Sequence, residues 1–203
     1  MDDTIKKQIK NRFKLCKEKY SLTNIYELNL SDLNLVSYQL NDILSSFKFT
    51  HKIQSLIIDN NNLISLPENL PSSLLTLYCN NNQLISLPEK LPSSLLTLYC
   101  NNNQLISLSE NLPSSLLILH CKNNQLTSLP EILPSSLISL YCYNNQLTSL
   151  PKNLPSSLLT LDCNNNQLTS LPENLHYSLT TLDCYNNQLT FLQIGRASCR
   201  ERV

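Results

Sequence analysis

With 203 residues, 41% of them hydrophobic, and a formal net charge of zero, the chain is long enough to bury one continuous core. The charge is unevenly placed: residues 1–20 carry seven basic and three acidic side chains, whereas residues 56–192 carry three basic and eight acidic. A mildly acidic body argues against a nucleic-acid partner, which needs a basic stripe to release counterions. No apolar run reaches bilayer length and the charged start is not a secretory leader, so no membrane insertion is expected.

From the N-terminus, Ile5, Ile9, Phe13, Cys16 and Tyr20 recur at helical spacing with lysines on the other face. The spacing predicts an α-helical cap over residues 1–20 that covers the open end of a core, as terminal caps of repeat arrays do. Partner or membrane-surface binding by its basic face is the alternative. Residues 21–52 are expected to hold a linker and a degenerate first repeat, marked by Ile25, Leu28, Leu30 and Leu35.

Residues 53–192 repeat with a period of 21, set by Pro67, Pro88, Pro130, Pro151 and Pro172, with Ser109 substituting once. One unit, Leu66 to Ser86, reads LPENLPSSLLTLYCNNNQLIS, and Leu74, Leu77, Cys79, Asn82 and Leu84 fall on the template L-x-x-L-x-L-x-x-N-x-L. Seven copies begin near Ile53, and the leucine column continues through Leu56, Leu77, Leu98, Leu119, Leu140, Leu161 and Leu182. The few leucines of one unit cannot offset the conformational entropy of ordering it, so neighbouring coils must supply the second wall of the core. The expected fold is a solenoid with a parallel β-sheet on its concave face.

The polar columns of the unit have structural roles. Asn61, Asn82, Asn103, Asn124, Asn145, Asn166 and Asn187 are expected to point inward as a ladder that satisfies backbone groups. The preceding asparagines, Asn60 through Asn186, are expected to take left-handed turns, because the only glycine is Gly195 and asparagine tolerates those angles best. On the opposite side, two prolines in LPENLPSSL block a regular helix and favour an extended, polyproline-type convex face.

Residues 193–203 end in IGRASCRERV, a string that reads as a translated sequencing adapter. We expect residues 193–203 to be a non-native tail and the natural frame to continue past Leu192.

The unit resembles the short LPX-type leucine-rich repeats of bacterial effectors, such as Yersinia outer protein M and the IpaH ubiquitin ligases, and similar arrays of giant-virus and amoebal proteins. The resemblance covers residues 53–192 and implies a host-protein-binding array. In the ligase branch, it implies a substrate-recognition arm ahead of a separate catalytic domain. Cysteine at the third strand position, the 21-residue unit and only one clear helix before the array depart from that pattern.

Six of the eight cysteines, Cys79, Cys100, Cys121, Cys142, Cys163 and Cys184, share one column. They read as a core thiol ladder: strand neighbours about 4.8 Å apart hold their side chains parallel rather than facing. Zinc would want close pairs such as C-x-x-C, which are missing, so neither a metal nor a cofactor is expected. Unbridged thiols favour a cytoplasmic, reducing setting, and the effector resemblance adds delivery into a host cell by a non-Sec route. His120 and Cys121 point to opposite faces and cannot form a nucleophile and base. His51 and His176 have no repeated partner, and no catalytic residues are expected.

The positions that vary within an invariant scaffold flank the inward Leu and Cys of each strand and should face the concave surface. One such column reads Ile57, Tyr78, Tyr99, His120, Tyr141, Asp162, Asp183, and its neighbour reads Asp59, Asn80, Asn101, Lys122, Tyr143, Asn164, Tyr185. Tyrosine offers large contact area at low entropic cost, so Tyr78, Tyr99, Tyr141, Tyr143 and Tyr185, with His120 and Lys122 nearby, are the expected contact residues for a protein or peptide partner. Asp162 and Asp183 are read as favouring a basic partner, in preference to an acid–base pair or a calcium site. The alternatives from other classes are the recognition arm of a truncated larger enzyme, such as an effector ubiquitin ligase, and a structural or decoy array without one selective partner.

Overall fold

The computed structural model describes residues 2–23, 26–46, 52–173, 175 and 178–190, with the side chains of 20–23 excepted. Helix α1 (Asp3–Thr23) leads into strand β1 (Glu27–Asn29), helix α2 (Ser37–Ser46) and strands β2 (Ser55–Ile57), β3 (Thr76–Tyr78), β4 (Thr97–Tyr99), β5 (Ile118–His120), β6 (Ser139–Tyr141), β7 (Thr160–Asp162) and β8 (Thr181–Asp183). The strands form one sheet in chain order, every neighbouring pair parallel. Each strand is three residues long with its central leucine inward, and Leu28, Leu56, Leu77 and Leu98 lie opposite one another in register. Parallel strands of one sheet need a full return path between them, and the rest of each coil provides it.

The core is a set of stacked columns. Leu74, Leu77, Cys79 and Leu84 of one coil are fully buried beneath Leu95, Leu98, Cys100 and Leu105 of the next. The column of Leu66, Leu108, Leu129 and Leu150 closes the convex side. Buried Asn82 ties the layers together: its Nδ2 donates to the carbonyls of Ile58 (3.0 Å), Cys79 (3.3 Å) and Asn80 (3.1 Å), and its Oδ1 accepts from the Leu63 N–H at 3.1 Å. The same set recurs at Asn103, Asn124, Asn145 and Asn166. The preceding asparagines adopt φ between 51° and 55°, the left-handed region, at Asn60, Asn81, Asn102, Asn123, Asn144, Asn165 and Asn186.

The convex segment is not uniformly extended. Its P-S-S-L portion closes as a turn, with the Leu74 N–H donating to the Pro71 carbonyl at 3.1 Å and the same bond at Leu95, Leu116, Leu137 and Leu158. The second serine then links coils: Ser94 Oγ donates to the Leu74 carbonyl at 2.6 Å, and Ser115, Ser136 and Ser157 repeat the bond.

The first coil differs. Leu28 and Leu56 are register partners although 28 residues apart, against 21 in later coils, and α2 occupies the extra length. Residues 21–52 contain no proline, so nothing prevents a helix where later coils carry two prolines. Gln39 Oε1 accepts from the Val36 N–H at 3.0 Å, half of a capping box, and Leu40, Ile43 and Leu44 are buried. Helix α1 packs against β1 with Ile9, Phe13 and Cys16 buried, and Lys19 pairs with Glu27. Burial, reinforced by the Glu27 charge, pushes the Cys16 thiol up to about 11. Ile25, His51, His176 and the tail 193–203 lie outside the described residues, as does the side chain of Tyr20.

Candidate functional site

Strand alternation places Tyr78, Tyr99, His120, Tyr141, Asp162 and Asp183 on the face opposite the buried leucines, each half-buried by its neighbours. In-register parallel pairing sets them one above another, because Tyr78 lies opposite Tyr99, Tyr99 opposite His120 and His120 opposite Tyr141. Their rings form one continuous stack. Centroids are 4.7 Å apart between Tyr78 and Tyr99, 4.6 Å between Tyr99 and His120, and 4.1 Å between His120 and Tyr141, with interplanar angles of 3°, 31° and 14°. This spacing is close to the inter-strand distance of a sheet, so the backbone positions the rings for contact.

Burial in the stack pushes the His120 imidazole down to about 4, and the nearby Lys122 charge acts in the same direction. His120 is therefore a neutral ring at neutral pH. Burial likewise raises the Tyr78 phenol, helped by Tyr99, Glu27 and Asp59.

The neighbouring column is less open than alternation alone suggests. Asp59 Oδ1 accepts from the Asn80 N–H at 2.6 Å, Asn80 Oδ1 from the Asn101 N–H at 2.9 Å, and Asn101 Oδ1 from the Lys122 N–H at 3.1 Å. These side chains continue the sheet's bonding past the end of the strands, and Asn101 and Asn164 are buried. Lys122, Tyr143 and Tyr185 stay partly exposed, and Lys122 Nζ lies 5.0 Å from the centroid of the Tyr143 ring, a cation–π contact. At the C-terminal end, burial raises Asp162 to about 6. The Asn164 N–H opposes this, whereas the register neighbour Asp183 adds to it.

Two apolar rows fall outside the residues picked from the sequence. Leu75, Leu96, Leu117, Ile138 and Leu159 immediately precede strands β3 to β7 and are partly exposed, Leu159 to 40%. Ile64, Ile85 and Ile106 form a second row, exposed to 57%, 56% and 60%. The first row is aliphatic in five consecutive copies, whereas the second gives way to Thr127, Thr148, Thr169 and Thr190 after Ile106, and both lie outside the inward template.

The six cysteines of the column are buried, and none of them is in a disulfide. Cys79 and Cys100 each donate to the next coil's carbonyl, Tyr99 and His120 respectively, at 3.3 Å. Burial holds the Cys79, Cys100, Cys121, Cys142 and Cys163 thiols far above the ordinary range. Among the described residues, no cluster of histidine, cysteine and carboxylate comes together to hold a metal, and no helix is long and apolar enough to cross a membrane.

A solenoid of in-register parallel strands, carrying stacked leucines inside and variable side chains on the sheet face, defines a repeat scaffold for protein interaction. The chain belongs to the leucine-rich-repeat family. It is similar to the leucine-rich-repeat domain of a Shigella effector, with a TM-score of 0.62 and 30% identity over 92% of this chain and 68% of that one. YopM from Yersinia enterocolitica matches at 0.71 and 32% identity, over 90% of this chain and 42% of that one. A Leptospira interrogans leucine-rich-repeat protein matches at 0.74 and 29%, over 88% and 47%. The chain thus spans under half the length of the latter two. No protein-family sequence model and no curated protein sequence matches it.

Proposed function

We propose that the chain binds a protein or peptide partner on its concave strand face, with the stacked column Tyr78, Tyr99, His120 and Tyr141 as the centre of contact and Lys122, Tyr143 and Tyr185 beside it. The observation that carries this reading is the ring stack, which pre-orders large amphipathic side chains before any partner arrives. Pre-ordered aromatics lose little further side-chain entropy on binding, the condition under which they become hot spots. The role is that of a binder, the side chains of the column supplying contact area. The similarity to arrays of bacterial effectors supports an effector-like role inside a host cell. The buried cysteines, none of them in a disulfide, support a reducing compartment.

The test is the affinity of a partner captured on the immobilised chain. Replacing Tyr78, Tyr99 and Tyr141 together with alanine should weaken binding at least about tenfold, within the range of hot-spot losses. A convex control, Glu68→Gln with Glu89→Gln and Glu131→Gln, should leave it unchanged. An unweakened tyrosine variant, with the convex variant impaired, contradicts the reading.

A further inference from the structure

The ring column ends abruptly. Tyr141 stacks on His120 with one face, and its register partner on the other side is Asp162, followed by Asp183. Aspartate is shorter than tyrosine by a phenol ring, so the sheet surface steps down after Tyr141. Register sets the outer ring face of Tyr141 beside the Asp162 position and then the Asp183 position. Among the described residues, no ring covers that outer face.

Three further observations say what the step would hold. Asp183 Oδ1 is buried and accepts no hydrogen bond among the described residues, which leaves an acceptor without a donor. Asp162 Oδ1 is already engaged by the Asn164 amide, so the carboxylate is fixed in place. The same surface orders a cation against a ring one position away, where Lys122 Nζ sits over Tyr143. The Lys122 charge acts on Asp162, yet Lys122 makes no ion pair with either carboxylate among the described residues. Two acidic groups beside one lysine leave the step net negative.

A planar, weakly hydrated cation suits this shape better than a compact ammonium, because it can stack on a ring face and present parallel N–H groups to carboxylates. The geometry points to a guanidinium site at the C-terminal end of the ring column: an arginine of the partner stacks on the outer face of Tyr141 and donates hydrogen bonds to Asp162 and Asp183. This deepens the concave-face reading and rests on it. It makes the partner a protein that presents an exposed arginine, with the rest of its contact along Tyr78, Tyr99 and His120. The groups facing the site are Asp162, Asp183, Lys122 and Asn164, and the raised Asp162 adds a pH dependence. Below about 6 that carboxyl is protonated, so arginine binding weakens as the pH falls through that value.

The test uses the full chain and N-acetyl-arginine methylamide as the probe, followed by amide chemical-shift titration. The lysine analogue and the neutral citrulline analogue serve as comparisons. Saturable shifts at Tyr141 and Asp183, absent with citrulline and weaker with lysine, are expected. Asp183→Asn and Tyr141→Leu, each with an otherwise wild-type amide spectrum, should each reduce arginine affinity at least about tenfold, about 1.4 kcal/mol. Asp162→Asn, nearly isosteric, provides a third variant should either of the others unfold. No saturable shift, equal response to citrulline, shifts centred on the convex glutamates, or a response to calcium in place of arginine overturns the site. Failure of the probe with a tyrosine-dependent partner still bound defeats this inference alone, whereas loss of the tyrosine dependence defeats the concave-face reading itself.

Discussion

Tyr78 and Tyr99 are register partners in adjacent strands, and their rings stack with centroids 4.7 Å apart and planes 3° from parallel. The backbone repeat dictates the contact, and the contact should in turn report on the repeat. Stacked aromatic pairs contribute about 0.5–1.5 kcal/mol beyond their burial. A double-mutant cycle with Tyr78→Ala and Tyr99→Ala, followed by urea denaturation, should give a coupling in that range. A coupling indistinguishable from zero would mean the rings do not stack in solution.

The buried asparagine ladder should be the most sensitive polar column. Asn103 Nδ2 donates to the carbonyls of Cys79 (3.0 Å), Cys100 (3.1 Å) and Asn101 (3.1 Å), and Oδ1 accepts from the Leu84 N–H at 3.0 Å. Asn103→Ala strands these groups away from water and should cost about 3 kcal/mol. The chemical-denaturation midpoint checks this, and a loss below about 0.5 kcal/mol would contradict it.

The turn asparagines should behave differently from the ladder. Asn144 sits at φ 52°, where a β-carbon is disfavoured. Asn144→Gly should be tolerated within about 0.5 kcal/mol, whereas Asn144→Val should cost about 1–2 kcal/mol or more. Equal melting temperatures for the two variants would remove the backbone explanation.

How much of this was legible in the sequence depends on periodicity. Leu77, Cys79 and Asn82 were readable because each recurs every 21 residues and so declares its side of the coil. Helix α2 was not, since residues 21–52 lack the repeat, although Gln39 three residues after Val36 and the spacing of Leu40, Ile43 and Leu44 carried a local signal. The Ser94, Ser115 and Ser136 links were missed because serine in a turn is ordinary until register places the preceding coil's carbonyl against it. For the same reason, the alphabet of the concave column was plain, while its stacking and the burial of Asn101 came only from three-dimensional register.

Acid should act on two concave groups with opposite sign. His120 is held at about 4 in the fold, below its unfolded value of about 6.5. Its contribution is full above about 6.5 and is lost as the pH falls toward 4. Asp162 is raised to about 6, so its charged form burdens the fold at neutral pH, and protonation relieves this as the pH falls through 6. Wild type should therefore lose more stability than His120→Asn between about pH 6.5 and 4. An imidazole titrating near 6.5 by NMR would contradict the assignment.

The thiol column should be silent in the native state. Cys79, Cys100, Cys121 and Cys142 are fully buried and held protonated. Iodoacetamide followed by site-resolved mass spectrometry should find them unmodified until denaturant is added. Rapid native labelling at Cys121 would show that the coil stack opens.

The most direct test of the partner surface is photo-cross-linking from two positions of the same chain. A benzophenone side chain replacing Tyr99 lies in the concave stack, and one replacing Ile132, exposed to 79%, lies in the convex segment. The account predicts a covalent adduct with the captured partner from the Tyr99 position and none from the Ile132 position. Adducts from Ile132 with none from Tyr99 would place the contact on the other side of the solenoid and contradict it.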